Sequence, residues 1–272
     1  MNVVVNGMRV SVDVVGSGET LVFIHGFPLD RRMWQAQLPA FPEMHRVIVP
    51  DLRGFGESQA ASASMTMEEC ADDLADLLDA MGITEPVNLC GLSMGGYVAF
   101  AFFRRHRSRL RRLILCDTKS SADSSQKQAD RERTATDVLE HGTGSMARDM
   151  PRSLLAASTF AVQPELVDSI RLMILEARPA AVAAALRGMG GRSDSTDLLR
   201  EIDLPTLVVA GAEDAISPPA EMREMAGGIP RSTFAEIASA GHLAPFENPQ
   251  AFNTVLRNFL ASPFPLRESG VE

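Results

Sequence analysis

Short apolar runs alternate with segments of helical spacing along most of the chain, which is typical of strands and helices in turn. An antiparallel hairpin is predicted over residues 3–15, with its turn at Asn6-Gly7. Further strands are predicted at the apolar runs 21–25, 46–50, 87–90, 113–116, 204–210 and 233–238. Because helical segments separate most of these runs, we predict an α/β fold with a mostly parallel central sheet flanked by helices.

The clearest predicted helix begins near Thr66. Thr66 and Glu69 have the spacing of a capping box, and Gly82 is suited to end the helix. Between them runs an apolar stripe at helical spacing, formed by Cys70, Leu74, Leu77, Leu78 and Met81. Other helices are predicted around residues 31–38, over 95–106 and after Asn248-Pro249, and residues 262–272 are predicted to form a loose tail.

The strand pattern disappears between residues 119 and 199, where short helical stretches are interrupted by glycine and proline. This insertion follows the strand that ends near Cys116 and should lie over the carboxyl edge of the sheet, where open α/β sheets bind ligands. We therefore predict a core formed by residues 1–118 and 200–272, and a helical lid formed by residues 119–199.

A serine motif directly follows the apolar run 87–90. Ser93 stands in Gly91-Leu92-Ser93-Met94-Gly95-Gly96, between a predicted strand and a predicted helix. Such a strand–turn–helix holds the serine hydroxyl above the sheet edge, where a histidine can reach it. Glycine is needed on either side because the turn brings backbone against backbone. The motif therefore predicts Ser93 as a nucleophile.

Candidate partners for the serine follow the last two predicted strands. Asp214 comes after the first of them and His242 after the second. A serine hydroxyl is a weak nucleophile, so it needs a base to take its proton and an acid to orient that base. We predict His242 as the base and Asp214 as the acid, with Asp117, Asp203 and the neighbouring Glu213 as rival candidates for the acid.

Together these segments resemble the α/β-hydrolase superfamily, and in particular its small cofactor-free esterases, lactonases and perhydrolase-like members. The resemblance rests on His25-Gly26-Phe27-Pro28, Asp51-Leu52-Arg53-Gly54-Phe55-Gly56-Glu57-Ser58, the Ser93 motif, Gly211-Ala212-Glu213-Asp214 and Gly241-His242. It implies the α/β-hydrolase fold, the triad Ser93, His242 and Asp214, and an oxyanion hole formed by the backbone amides of Phe27 and Met94. His25 is expected to brace the oxyanion loop, and Arg53 is available to pair with Glu57.

Apolar side chains of the predicted lid and of the loops near the triad are candidates for a substrate pocket. These candidates are Trp34, Met146, Met150, Leu154, Phe160, Ile216 and Leu243. Those in the lid can instead pack the lid onto the core, and a core position for Trp34 is as well supported as a pocket position.

Composition and charge exclude several classes of binding partner. The 272 residues carry a net charge of −9 and a pI near 5.1, which argues against binding to nucleic acid or to an anionic membrane surface. No apolar run approaches the roughly 20 residues that a membrane-spanning helix needs. The N-terminus lacks the features of a signal peptide, and the three cysteines indicate free thiols, so we expect a cytoplasmic monomer or homodimer. No metal-ligand spacing is present, and neither a metal nor another cofactor is predicted.

The leading functional prediction is a carboxylic-ester hydrolase that acts on small to medium acyl esters or lactones. Perhydrolysis or cofactor-free haloperoxidase activity on the same triad remains open. Carbon–carbon bond hydrolysis is less well supported, because Leu92 precedes the serine where those enzymes often have asparagine. A ligand receptor built on this fold is a further possibility of a different class. Epoxide hydrolases and haloalkane dehalogenases of this fold are disfavoured, because they attack with an aspartate at the position of Ser93.

Overall fold

A computed structural model describes residues 1–59 and 65–262 of the chain, so most of the predicted tail lies outside the described residues. Within them, eight strands form one sheet: β1 (Asn2–Val5), β2 (Met8–Val15), β3 (Glu19–Ile24), β4 (His45–Pro50), β5 (Val87–Leu92), β6 (Leu110–Cys116), β7 (Thr206–Gly211) and β8 (Ser232–Ile237). Their spatial order is β1-β2-β4-β3-β5-β6-β7-β8. The first two strands pair antiparallel and the other six are parallel to one another. The predicted hairpin and the predicted parallel sheet are both present.

Helices connect the parallel strands and cover the sheet. They are α1 (Met67–Ala80), α2 (Met94–His106), α3 (Ser125–His141), α4 (Gly144–Asp149), α5 (Pro151–Leu154), α6 (Ala157–Val162), α7 (Pro164–Glu176), α8 (Pro179–Gly190), α9 (Pro219–Gly227), α10 (Ala244–Glu247) and α11 (Pro249–Ala261). Short 3₁₀ turns occupy Arg31–Trp34, Leu38–Ala40, Arg107–Arg109 and Asp197–Glu201. Helices α3 to α8 lie in the insertion between β6 and β7, where the sequence predicts short helices and no strand.

The helix predicted around residues 31–38 is replaced by two separate 3₁₀ turns. Pro39 lies in the second turn, and it has no backbone N–H to bond to the carbonyl of residue 35. The first turn is set by Asp30, whose side chain accepts a hydrogen bond from the Arg32 amide. A continuous helix through this segment is therefore broken by the proline.

Both ends of α1 form as predicted. The Thr66 hydroxyl accepts a hydrogen bond from the Glu69 amide at 3.1 Å, and the Glu69 carboxylate accepts one from the Thr66 amide at 2.8 Å. At the other end Gly82 has a φ of +70°, and the Ile83 amide donates to the Leu78 carbonyl. This is the Schellman arrangement that closes a helix.

Two apolar layers lie on opposite faces of the sheet, as the alternation of side chains along β3 shows. Val22 and Ile24 belong to the layer that contains α1 and α2. Leu21 and Phe23 belong to the layer that contains α11 and the Trp34 turn. Burial of both faces explains why the parallel strands read as continuous apolar runs in the sequence. A sheet covered in this way presents the loops at its carboxyl edge as the positions for chemistry.

We predict that Thr66→Ala destabilises the protein by about 1 kcal/mol, because the substitution leaves the Glu69 amide at the start of α1 without its partner. The free energy of unfolding, measured with urea, reports the loss. Thr136→Ala in α3 is the control, because the Thr136 hydroxyl donates only to the Glu132 carbonyl within the same helix. Equal stability of the Thr66→Ala variant and the wild type would contradict the capping role.

Candidate active site

Ser93 lies in a strained turn between β5 and α2. Its φ of +54° and ψ of −111° fall outside the regions that side chains ordinarily allow. A Cβ on Gly91 would lie 2.2 Å from the Gly95 carbonyl oxygen, and a Cβ on Gly95 would lie 2.4 Å from that of Ile24. The turn therefore requires both glycines. Hydrogen bonds from the Ser93 amide to the Cys116 carbonyl, and from the Thr118 hydroxyl to the Ser93 carbonyl, hold it in place.

The structure brings Ser93, His242 and Asp214 together. His242 Nε2 lies 2.8 Å from Ser93 Oγ, and His242 Nδ1 lies 2.8 Å from Asp214 Oδ2. The histidine and the aspartate are both almost completely buried, whereas Ser93 is half-buried. This arrangement gives the serine hydroxyl a proton acceptor whose second nitrogen is oriented by a carboxylate.

Asp214 is held as a carboxylate. Its Oδ1 accepts hydrogen bonds from the Ile216 amide at 2.7 Å and from the Ser217 amide at 3.0 Å. Burial opposes ionisation, but the hydrogen bond and the charge of His242, together with these two amides, outweigh it and lower the pKa of Asp214. The ionised form is the one that stabilises an imidazolium at His242.

Asp117, a rival candidate for the acid, lies close to the triad without a hydrogen bond to the imidazole. Its carboxyl accepts a hydrogen bond from the Gly211 amide at 2.7 Å and a longer one from the Ala244 amide at 3.4 Å. Complete burial, and then the charge of Asp214, raise the pKa of Asp117 well above its ordinary value. The two remaining candidates lie away from the imidazole: the Asp203 carboxylate pairs with Arg107, and Glu213 is exposed.

The two amides predicted for the oxyanion hole flank the serine turn. Met94 is the first residue of α2, and the first amides of a helix have no carbonyl partner within it. On the other side, a Cβ on Gly26 would lie 3.5 Å from the Ser93 Cβ, and the next residue, Phe27, lines the cavity above the serine. Their action on an oxyanion stays a prediction.

His25 joins two loops rather than facing the serine. Its Nδ1 lies 3.0 Å from the Gly26 carbonyl oxygen, and its Nε2 accepts the Leu52 amide at 3.0 Å. Since Nε2 is the acceptor, Nδ1 carries the proton. Burial of the ring lowers the pKa of His25, which agrees with a neutral imidazole. The bracing position expected from the sequence is the one observed.

The Arg53–Glu57 pairing expected from the sequence does not form. Arg53 pairs with Asp73 and Glu69 of α1, and Glu57 pairs with Arg31. The spacing within the loop could not reveal these partners, because they come from other segments of the chain.

A cavity of about 620 Å³ opens above Ser93 and His242. Four predicted pocket residues line it: Met146, Met150, Leu154 and Ile216. The other three do not. Trp34 is completely buried against Phe23, at a ring-centroid distance of 4.8 Å; Leu243 is buried in the same apolar layer, and Phe160 packs against that layer.

Several cavity residues were not anticipated from the sequence. The apolar ones are Tyr97, Val138, Leu186 and Met189, and the charged ones are Lys127, Asp130, Arg131, Asp137 and Asp149. Tyr97 follows Ser93 by four residues on α2, so helical spacing could have identified it. Asp149 lies in α4 and the others lie in α3 or α8, so their places in the cavity wall depend on how these helices pack, which no local pattern encodes.

Among residues 1–59 and 65–262, no group of three or more histidine, cysteine, aspartate or glutamate side chains is arranged to hold a metal ion. No helix in the same part of the chain is both long and apolar enough to cross a membrane.

Comparisons with known proteins agree with this architecture. A solved thermophilic esterase from Thermogutta terrifontis is 48% identical, with a TM-score of 0.93 over 96% of this chain and 97% of that one. The solved enol-lactonase from Burkholderia xenovorans LB400 is 27% identical, with a TM-score of 0.89 over 96% of this chain and 100% of that one. A putative non-heme bromoperoxidase, BpoC, from Mycobacterium tuberculosis is 27% identical over 94% of this chain and 98% of its own length. Residues 19–249 match the model of the alpha/beta hydrolase fold family, and the chain belongs to that family.

Proposed function

We propose that this protein is a serine hydrolase that cleaves carboxylic esters or lactones with small to medium acyl groups through an acyl-enzyme. The observation that carries the proposal is the continuous hydrogen-bonded chain Ser93–His242–Asp214 beneath a cavity large enough for a small molecule. The 48% identity to an esterase over nearly the whole chain supports the ester class.

In the acylation step His242 Nε2 takes the proton from Ser93 Oγ as the oxygen attacks the substrate carbonyl. The carbonyl oxygen becomes an oxyanion, which the amides of Phe27 and Met94 stabilise; such donors are worth roughly 3 kcal/mol each. The imidazolium, stabilised by Asp214, then protonates the departing alkoxide. The carbon–oxygen bond breaks and an ester to Ser93 remains.

Deacylation repeats the same steps with water. His242 removes a proton from the water, which attacks the acyl carbonyl, and the released Ser93 oxygen recovers the proton from the imidazolium. For a lactone substrate the alcohol leaving group stays attached to the acyl chain, so the product is a single hydroxy acid.

The cavity favours small to medium acyl groups. Its volume lies within the range of about 300–1,000 Å³ that holds small-molecule ligands. Apolar side chains in its wall, among them Met146, Met150 and Leu154, suit a hydrocarbon chain. Lactones are included because an enol-lactonase is among the similar structures.

We predict that Ser93→Ala lowers kcat for p-nitrophenyl esters by at least about 10⁴-fold, because it removes the nucleophile. Steady-state hydrolysis over an ester series of increasing acyl length, beside a lactone series, provides the measurement. Ser169→Ala is the control, since this exposed hydroxyl bonds only to the Glu165 carbonyl within α7. Near-wild-type turnover by Ser93→Ala would refute the mechanism, and wild-type protein without multiple turnover would favour a ligand receptor.

Substituting the two buried aspartates identifies the acid. Asp214→Asn should lower kcat by about 10⁴-fold, because an amide cannot stabilise the imidazolium or keep its tautomer. Asp117→Asn should lose much less activity, because Asp117 bonds to backbone amides and not to His242. A larger loss of kcat in Asp117→Asn than in Asp214→Asn would contradict the assignment of Asp214 as the acid.

Asp117→Asn also carries a stability prediction. Because the pKa of Asp117 is raised in the folded protein, its ionised form destabilises the fold at pH values above that raised pKa. This penalty declines as the pH falls from the raised pKa towards the ordinary pKa of an aspartate, and it is absent below that ordinary pKa. The variant should therefore be more stable than the wild type in alkaline buffer, and the difference in free energy of unfolding should shrink on acidification. If the stability advantage of Asp117→Asn over the wild type instead grew on acidification, the raised pKa of Asp117 would be contradicted.

Perhydrolysis is the second candidate, because the bromoperoxidase relative matches nearly the whole chain and peroxide can replace water at the acyl-enzyme. Peracid formation from acetate and hydrogen peroxide, measured beside ester hydrolysis, compares the two acceptors. We expect hydrolysis to exceed peracid formation in kcat/KM. The reverse order, lost in Ser93→Ala, would assign perhydrolysis as the main activity.

A further inference from the structure

Glu247 is a buried carboxylate directly behind the catalytic histidine loop. Its side chain is about as buried as that of His242, at 3% residue exposure. Glu247 Oε1 accepts the Gly241 amide at 2.7 Å, and Oε2 accepts the Ala156 amide at 2.8 Å and the Thr159 hydroxyl. Among the described residues no cation pairs with it. Burying a charge is unfavourable unless hydrogen bonds compensate it, and here the donors come from two separate segments.

The first of these segments carries the base. Gly241 precedes His242, so any displacement of the Gly241 amide moves the imidazole relative to Ser93 Oγ. The Glu247 amide in turn donates to the Leu243 carbonyl. Glu247 therefore bonds to the residue before His242 and to the residue after it.

The second segment belongs to the insertion. Ala156 lies at the α5–α6 junction, two residues after Leu154, which lines the cavity, and Thr159 lies in the first turn of α6. A Cβ on Gly241 would lie 2.7 Å from the Ala156 nitrogen, so the histidine loop packs directly on this junction. The Glu247 side chain therefore links the segment that carries His242 to the segment next to the cavity wall, beside their direct packing.

We infer that Glu247 is a positioning residue, which locks the histidine loop to the α5–α6 junction and thereby fixes the distance between His242 and Ser93. The inference rests on the proposed function, since it assigns Glu247 a role in placing the base. Small misplacements of reacting groups, on the order of 1 Å, lower rates by about 100-fold.

The chemistry requires a carboxylate with two accepting oxygens. A glutamine at position 247 would present an amide NH₂ either to the Gly241 amide or to the Ala156 amide, both of which are donors. In either orientation one backbone N–H is left without an acceptor. Glu247→Gln therefore loosens one of the two attachments without changing the shape of the side chain.

Three variants test the inference. Glu247→Gln should lower kcat for a p-nitrophenyl ester by about 10- to 100-fold, with KM changed by less than about threefold. Thr159→Val removes only the hydroxyl donor and should have a smaller effect on kcat. Gln37→Met is the matched control. The buried Gln37 amide donates to the carbonyl of Pro245 in α10, the helix that contains Glu247, and not to the histidine loop. This variant should lower the melting temperature and leave kcat unchanged.

The ¹⁵N resonances of the His242 imidazole, assigned with a His242→Asn variant, give a readout independent of turnover. We expect them to shift or broaden in Glu247→Gln and to stay unchanged in Gln37→Met. Unchanged His242 signals in Glu247→Gln, or equal losses of kcat in Glu247→Gln and Gln37→Met, would reduce Glu247 to a general structural role. If the wild-type protein cleaves no ester, the proposed function alone is refuted. The imidazole resonances would still show whether Glu247 positions His242.

Discussion

Close backbone packing around the serine turn is the constraint on which the site depends. The start of α2 lies so near to β3 and β5 that no side chain fits at Gly91 or Gly95. Because Ser93 itself has a side chain, it occupies a strained backbone conformation, and the neighbouring strands must hold it there. Its amide bonds to the end of β6, so the turn is supported by the sheet on both sides.

The backbone is packed equally closely between the loops that carry Asp214 and His242. A Cβ on Gly211, at the end of β7, would lie 1.9 Å from the Gly241 carbonyl oxygen. The Glu213 amide bonds to the Ala240 carbonyl, so the acid loop and the histidine loop are joined by their main chains as well as by Asp214 and His242. The carboxyl ends of parallel strands thus bring together residues that are far apart in sequence.

The elements that depend on local physics could be predicted from the sequence. The capping box of α1 needs only Thr66 and Glu69, and the apolar runs of the parallel strands follow from burial on both faces. The motif around Ser93 and the order of Asp214 and His242 predicted the residues that meet in space. Trp34 could not be placed in the same way, because its neighbours Phe23 and Phe252 are distant in the chain. The pocket walls likewise depend on the packing of short helices in the insertion, whose sequence pattern predicts helices and not their arrangement.

Three buried carboxyl groups surround the histidine loop, and their environments separate their roles. Asp214 faces a group that can become positively charged, and its pKa is lowered. Asp117 and Glu247 meet neutral donors, and burial raises the pKa of each. The proposed mechanism needs an ionised carboxylate in contact with His242, and of these three only Asp214 bonds to the imidazole. The other two carboxyl groups bond to the backbone that carries the triad, Asp117 to the Gly211 and Ala244 amides and Glu247 to the Gly241 amide. In the proposed mechanism Asp214 therefore acts through His242, whereas Asp117 and Glu247 hold the main chain next to these two residues.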